Sequence, residues 1–322
     1  MNSISIIIPT YKFTKYLDQA IESCLNLKYV DPNIYVNINS QDNNFKESIF
    51  WSNKKIKWRY IKKTTENQYE SVNDAVLNSK GEWIYILSDD DIICSNFLKN
   101  INISNFKEFD IYASRLEIIN ESNTTLRTQR KYLDTKLNSN EAMNLFFENK
   151  FYNHLSLFVF SRNSFNKIGG YTQGIYPNGY YLDTIFHAKL IANCNNVYFS
   201  DEINFKRRET QFQGSSKFYY HNVNNYFNDL INKYYVDNKL KTKSISYFGS
   251  KENHFKMELQ NRLKTELIKI FFPIYEISLS SKFSFFYHFL MFWRTGVFFK
   301  IKVLIALPLI YIKIKIRKII KK

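Results

Sequence analysis

Cysteine is scarce in this 322-residue chain. The three present, Cys24, Cys94 and Cys194, are odd in number and far apart. That excludes a disulfide scaffold and any CxxC zinc or redox motif. Histidine is equally thin, with five scattered residues and no visible zinc pair. Eight Gly and five Pro exclude the collagen-like and low-complexity classes. Acidic residues are the minority, 29 against 45 Lys and Arg, and the net charge is +16. No uncharged apolar run reaches the roughly 18 residues that a spanning helix needs. What is present is ample apolar mass: 45% hydrophobic and 18% aromatic residues, which excludes disorder.

A basic, aromatic-rich chain suits nucleic acid, a membrane surface or an anionic small molecule. The distribution of charge separates these. Residues 267–322 hold eleven basic residues against Glu276 alone, a net +10, while the first 266 residues carry +6. The tail is also the most apolar part. Phe283 to Phe299 is nearly all aromatic or aliphatic, and Val303 to Ile312 is apolar before it alternates into IKIKIRKIIKK. A nucleic-acid binder would spread its basic residues over a folded groove, so no nucleic-acid partner is expected. An apolar segment with interspersed Lys and Arg fits an anionic membrane interface. The alternative is a helix pair packed on the body, and Arg294, Lys300 and Lys302 weigh against a true span. The first ten residues, MNSISIIIPT, lack a basic n-region, and Pro9 ends their apolar run. No signal peptide is therefore expected, which implies a cytoplasmic body, peripheral on the inner face of the cell membrane.

The hydrophobic pattern predicts a strand over residues 3–8, stopped by Pro9. A helix follows with Thr14 as its cap and Leu17, Ala20, Ile21 and Cys24 on one face. Further strands are predicted at Ile34 to Ile38, Lys57 to Ile61 and Trp83 to Leu87. Between the last two, Asn67 caps a helix that Gly81 ends as a C′ residue. This alternation is α/β, a mostly parallel sheet with ligand loops at the C-terminal ends of its strands. From about Ile111 the pattern loosens, and residues 217–266 read as helical. His154 and His187 read as core or surface histidines rather than ligands.

The fourth strand runs directly into Ser88-Asp89-Asp90-Asp91. Adjacent carboxylates repel, and hard divalent cations such as Mg²⁺ or Mn²⁺ offset that with oxygen coordination. A solvated acidic helix cap is the alternative reading. The surrounding residues decide between them. SISIIIPTYKFTKYLDQAIESCL resembles the first strand–loop–helix of family 2 glycosyltransferases, and NQYESVNDAVLNSKGEWIYILSDDD resembles their next block with its Asp-x-Asp motif. The resemblance implies a GT-A (Rossmann-like) fold with a nucleotide-diphospho-sugar donor and a Mn²⁺ or Mg²⁺ cofactor. Pro9, Thr10 and Tyr11 look like the loop that holds base and ribose. Asn39 stands where the family carries a base-reading Asp, with Asp42 slightly downstream, and Gln68 and Asn73 match positions near the nucleotide or structural to the helix. The motif register places Asp89 near the ribose and on the metal, Asp91 on the metal, and Asp90 as an exchange partner; Ser88 with Asp90 is the alternative register.

LFVFSRNSFNKIGGYTQGIYPNGYYLDTIFHAKL is similar, more weakly, to the family's acceptor region. Gly169-Gly170-Tyr171 matches, and Asp183 falls where the catalytic base belongs, with Leu182 in place of the usual Glu. Asp201 and Glu202 are rival bases. KRRETQFQGSS resembles an Arg-x-His-x-x-Gln-x-Ser stretch, with Thr210 replacing the His. The resemblance brings Arg208, or Arg207 beside it, to the diphosphate.

Together these readings give a GT-A domain over residues 1–216, with the nucleotide-sugar half at 1–110 and the acceptor half at 111–216. A helical extension over 217–266 and a basic amphipathic, membrane-associating tail over 267–322 follow. The implied activity is an inverting glycosyltransferase acting on a lipid-linked, lipooligosaccharide or polysaccharide glycan. An inactive scaffold of the same fold that binds a glycan or partner is the alternative.

Overall fold

A computed structural model describes residues 3–40, 44–61, 68–99, 101, 105–129, 135–148, 150, 154–172, 182–210 and 223–258. The tail predicted to meet a membrane, and the predicted Asn67 cap, lie outside the described residues. Two compact units divide the chain. The first comprises residues up to Ser215 with Val236–Lys243, and the described part of the second is 223–235 with 244–258.

The first unit is built on β1 (Ile4–Thr10), β2 (Asn33–Ile38), β3 (Ile56–Tyr60) and β4 (Trp83–Ile86), with α1 (Lys15–Leu25) and α2 (Gln68–Asn78) between them. These four strands are parallel, in the order β3-β2-β1-β4. Every residue of β1 is buried, as a strand covered on both faces requires. Ile4, Ile6 and Ile8 pack with Leu17, Ala20, Ile21 and Cys24 of α1, the helix face that the spacing predicts. Thr14 caps α1 by its extended backbone, and its side chain makes no cap bond.

Two boundaries differ from the sequence expectation. Pro9 does not stop β1, which runs on to Thr10. On one side β4 pairs β1 only as far as Ile7, so Pro9 lies past the rung where a missing N–H would break that ladder. Gly81 does not end α2, which stops at Asn78. Its role is close approach instead: a Cβ there would lie 2.5 Å from the Ser5 backbone N, and its N–H donates to Ser5 Oγ.

The sheet continues through β5 (Ile92–Ile93), β6 (Ile111–Ile119), β7 (Thr125–Thr128), β8 (Thr135–Asn138), β9 (Phe158–Ser161) and β10 (Asn196–Arg208). Its full path is β3-β2-β1-β4-β9-β6-β10-β5, with β7 on β6 and β8 on β10. β9 enters antiparallel between β4 and β6, and β10 is parallel to β6. Three helices accompany these strands: α3 (Ser139–Phe147), opened by an Asn138–Glu141 capping box; α4 (Arg162–Ile168); and α5 (Leu182–Asn193).

The second unit contains α6 (Val223–Tyr234), the end of α7 (Asn238–Phe248) and a helical stretch at 251–258. His254 is fully buried there, stacked on Phe248 at 4.0 Å with Tyr234 edge-on, and burial pushes its imidazole down to about 3.

Candidate active site

Parallel strands bring their C-terminal ends to one edge, and the donor-side candidates collect there. β1 ends in Thr10, β2 passes into Asn39, and β4 runs into Ser88–Asp91. The Asn39 N–H donates to Thr10 O at 2.8 Å, and Thr10 Oγ1 donates to Asp89 Oδ2 at 2.6 Å. Pro9 and Thr10 are buried in β1, whereas Tyr11 just beyond is 68% exposed. Asn39 is buried. Gln68 opens α2; Asp42 lies outside the described residues.

The three aspartates are not equivalent. Burial, then the neighbouring charge of Asp90, pushes Asp89 up to about 7, partly offset by the Thr10 hydroxyl. The same two causes raise Asp91 well above the carboxylate range. Asp91 is 1% exposed and tied into the protein: Oδ1 accepts the Arg208 N–H at 3.0 Å, and Oδ2 lies 3.4 Å from Ser156 Oγ. Ser156 also takes the Ser88 N–H on its hydroxyl and the Tyr85 hydroxyl on its carbonyl. It anchors the whole turn, and no sequence motif marked it.

Arg208 differs from the sequence expectation. It is fully buried, and each nitrogen of its guanidinium donates to protein: Nε to Asp90 O, Nη1 to Asn120 O and Asn123 Oδ1, Nη2 to Gln19 Oε1. The ring of Tyr16 covers it at 4.4 Å. Arg208 therefore braces the aspartate turn from behind and does not face a diphosphate. Neighbouring strand residues point to opposite faces, so Arg207 looks the other way. Its Nη1 lies 3.3 Å from Glu209 Oε1, and its charge acts on Asp91, Asp183 and His154 together.

Asp183 sits in the first turn of α5, where the helix dipole favours a carboxylate. Its Oδ1 accepts the Thr184 N–H at 2.7 Å and faces Thr184 Oγ1 at 3.4 Å. Burial raises its pKa, while the Thr184 donors and Arg207 pull it down. Arg207 thus lies within electrostatic reach of both Asp91 and Asp183. The rivals are elsewhere: Asp201 pairs with Arg115 at 3.0 Å, and Asp201 and Glu202 lie at the irregular middle of β10. That is six or seven residues before Arg208, on the order of 20 Å along a strand.

The two histidines are core residues. His154 Nδ1 accepts the Ser156 N–H at 3.3 Å, capping a 3-10 turn, and its ring lies near-parallel to Phe205. Burial, Arg207 and His187 lower its pKa, so it stays neutral 3.7 Å from Asp91. His187 is buried edge-on to Phe158, and burial takes it down to about 3.

The Gly-Gly-Tyr motif links the two halves. Gly169 closes α4 in the left-handed region, and Gly170 follows at φ +64. A Cβ on Gly170 would lie 2.7 Å from Asn73 Oδ1. Asn73 of α2 clamps the next residue twice, accepting the Tyr171 N–H at 2.9 Å and donating to Tyr171 O at 2.8 Å. Asn73 is thus structural to the site.

Among the described residues, no group of three or more His, Cys, Asp or Glu is arranged to hold a metal ion by itself. No described helix is long and apolar enough to cross a membrane.

Known proteins agree with this architecture. Residues 5–169 match the family model "Glycosyl transferase family 2". An uncharacterized glycosyltransferase of Rickettsia felis is 30% identical over 225 residues, 68% of this chain and 36% of the relative. A similarly described protein of Rickettsia conorii is 28% identical over the same extent. The chain thus spans about a third of the length of the curated relatives it matches. Among solved structures, residues 1–349 of S. aureus TarS in complex with UDP-GlcNAc superpose with a TM-score of 0.60 at 13% identity, covering 83% of this chain and 81% of that one. The same TarS segment with UDP gives 0.55. These likenesses establish the GT-A fold. With its family model matched over half of its residues, this chain belongs to glycosyl transferase family 2.

Proposed function

We propose that this chain transfers a sugar from a nucleotide-diphospho-sugar to a hydroxyl of a glycan or glycolipid acceptor, with inversion. One observation carries the reading. Thr10, Asn39 and the aspartate turn meet at one sheet edge, and the charge of Arg207 acts on both Asp91 and Asp183. The UDP-GlcNAc complex of the TarS neighbour supports a nucleotide-sugar donor.

Pro9, Thr10, Tyr11, Asn39 and Gln68 frame the nucleotide, with Asp89 at the ribose. Arg207, rather than the buried Arg208, is the cation for the diphosphate. The aspartate turn fits a Mn²⁺ or Mg²⁺ ion, because its oxygens are hard ligands and its buried charges raise one another's pKa. Asp89 and Asp91 would hold it, with Asp90 as exchange partner. Asp91 offers Oδ2, since Oδ1 is taken by Arg208 N–H. Substrate phosphates would complete the shell, as is usual for Mg²⁺. Such an ion supplies positive charge that stabilises the departing diphosphate.

Asp183 acts as general base. Its carboxylate takes the acceptor hydroxyl's proton as the new bond to the anomeric carbon forms and the bond to the diphosphate breaks. Burial raises its pKa, which makes it a stronger base than a solvated Asp. The basic, apolar segment 267–322 would hold the enzyme on the inner face of an anionic membrane, beside a lipid-linked acceptor. Each engaged Lys or Arg contributes about 1 kcal/mol there.

Calorimetry with UDP-, GDP-, TDP- and CMP-sugars, with and without Mn²⁺, tests the donor reading. One donor class binding tightly only with the ion is the expected result; equal, ion-independent affinity for all of them contradicts it. A chain ending at Lys264 should lose sedimentation with anionic liposomes, and unchanged sedimentation removes the membrane reading.

A further inference from the structure

A buried polar atom without a partner is costly, so a working protein keeps one for a reason. Among the described residues, the Tyr171 hydroxyl has no hydrogen-bond partner, and Tyr171 is only 2% exposed. The ring that carries it is held on both faces. Tyr69 of α2 stacks on one side at 4.8 Å and 25°, and Phe186 of α5 on the other at 3.8 Å and 11°. The Asn73 clamp fixes its backbone at both N–H and carbonyl. The hydroxyl cannot swing out to water without breaking that stack.

Phe186 follows Asp183 by three residues, so both lie on one face of the first turns of α5. Tyr171 thus packs beside the carboxylate assigned as the base. The charged and titratable groups that act on this pair are few. Tyr69 and Asp183 act on Tyr171, and burial with both holds its phenol protonated. Arg207 acts on Asp183, together with the Thr184 donors on Oδ1. Both Thr184 donors fall on Asp183 Oδ1, and its own backbone N–H is a further donor to the carboxylate.

We propose that Tyr171 is a positioning residue for Asp183: in the substrate-bound enzyme its hydroxyl donates to Asp183 Oδ2 and fixes the orientation in which the carboxylate receives the acceptor's proton. The inference rests on Asp183 being the base. Tyr171 keeps its own proton throughout. The acceptor's proton passes to Asp183, and the electron pair of the broken bond leaves with the diphosphate. The residue does not touch the reacting atoms. It acts by holding a group that does, and it couples that group to α2 through Tyr69 and Asn73.

The test is Tyr171→Phe beside Asp183→Asn in the full chain. Hydrolysis of UDP-N-acetylglucosamine, UDP-glucose and GDP-mannose is followed from pH 5 to 9, with thermal midpoints and donor affinities alongside. Tyr171→Phe keeps the stack and deletes only an unpartnered hydroxyl. Its thermal midpoint should equal or exceed that of the wild type, and donor affinity should stay within about twofold. Turnover should fall about tenfold or more. The acid limb should move to higher pH, because the lost bond favoured the charged carboxylate. Asp183→Asn should abolish turnover and the acid limb with it. Wild-type turnover and acid limb in Tyr171→Phe, beside an inactive Asp183→Asn, overturn the Tyr171 assignment alone. Substantial turnover in Asp183→Asn overturns the base and the Tyr171 assignment together. A lowered thermal midpoint with an unmoved acid limb overturns it in favour of a purely structural hydroxyl.

Discussion

The proposed donor edge and the proposed acceptor edge of this site are held by different physics. On the donor edge, hydrogen bonds to backbone and buried side chains fix the charged groups: Thr10 to Asp89, Arg208 N–H to Asp91, and the Arg208 guanidinium to the carbonyl of Asp90. On the acceptor edge, the fixing elements are stacked rings and a tight glycine turn: Tyr69, Tyr171 and Phe186, and Gly170 against Asn73. Buried, adjacent carboxylates raise one another's pKa, so the donor edge is electrostatically strained and relies on polar anchors.

The sharpest way to break this contrast is the pair Arg207 and Arg208. Arg208→Met empties a buried guanidinium site and leaves four part-buried acceptors without their donor, and should destabilise the protein by roughly 3–5 kcal/mol. Arg207→Met should leave stability within about 1 kcal/mol yet lower kcat/KM for donor turnover at least tenfold. Urea unfolding and steady-state kinetics on both variants check this. Equal stability loss in the two would erase the distinction between brace and site cation.

A smaller effect is expected on the acceptor edge. Gly170→Ala adds a Cβ that meets Asn73 and Phe165 at a positive φ, and should cost about 1–3 kcal/mol. Its cost should fall on turnover more than on donor affinity, since the clamp it disturbs supports Tyr171. Loss of donor binding with turnover per bound donor intact would reverse that expectation.

The smallest effect concerns the strain at Asp89. Its pKa in the folded protein, about 7, exceeds that of an unfolded carboxylate. The stability it contributes is fully present below about pH 4 and is lost as pH rises toward 7. Without divalent ions, Asp89→Asn should therefore be neutral near pH 4 and stabilising, by about 1–2 kcal/mol, at pH 7 and above. Thermal unfolding across that range checks it, and a stabilisation independent of pH would contradict the cause. Added Mn²⁺ should narrow the gap at pH 7 by stabilising the wild type alone.

The donor edge was largely legible from sequence, because a strand followed at once by its ligand loop is a local pattern. SISIIIPTY and WIYILSDDD each place their polar residues at a strand end, and the structure keeps them there. The acceptor edge was legible only in part. The Gly-Gly-Tyr turn and Asp183 stand in the local pattern, but what the turn touches, Asn73, lies 98 residues away from Tyr171. Ser156 carried no signal at all, since its partners Tyr85, Ser88 and Asp91 come from another strand and turn. Pro9 and Gly81 depart from the sequence expectation for one reason: each reads locally as punctuation, while the structure places one past the end of the β1–β4 ladder and uses the other for close approach.

By itself, then, the sequence determined the alternating α/β core, the edge where the donor loops gather and the family. Hydrophobic period and strand-end polarity are properties of consecutive residues. The tertiary structure decided which of two adjacent arginines is fully buried, which of three adjacent aspartates is, and that the Tyr171 hydroxyl is buried with no partner among the described residues. A side chain's role depends on partners that only folding brings within about 3 Å of it, and adjacent residues on a strand meet opposite sets of them.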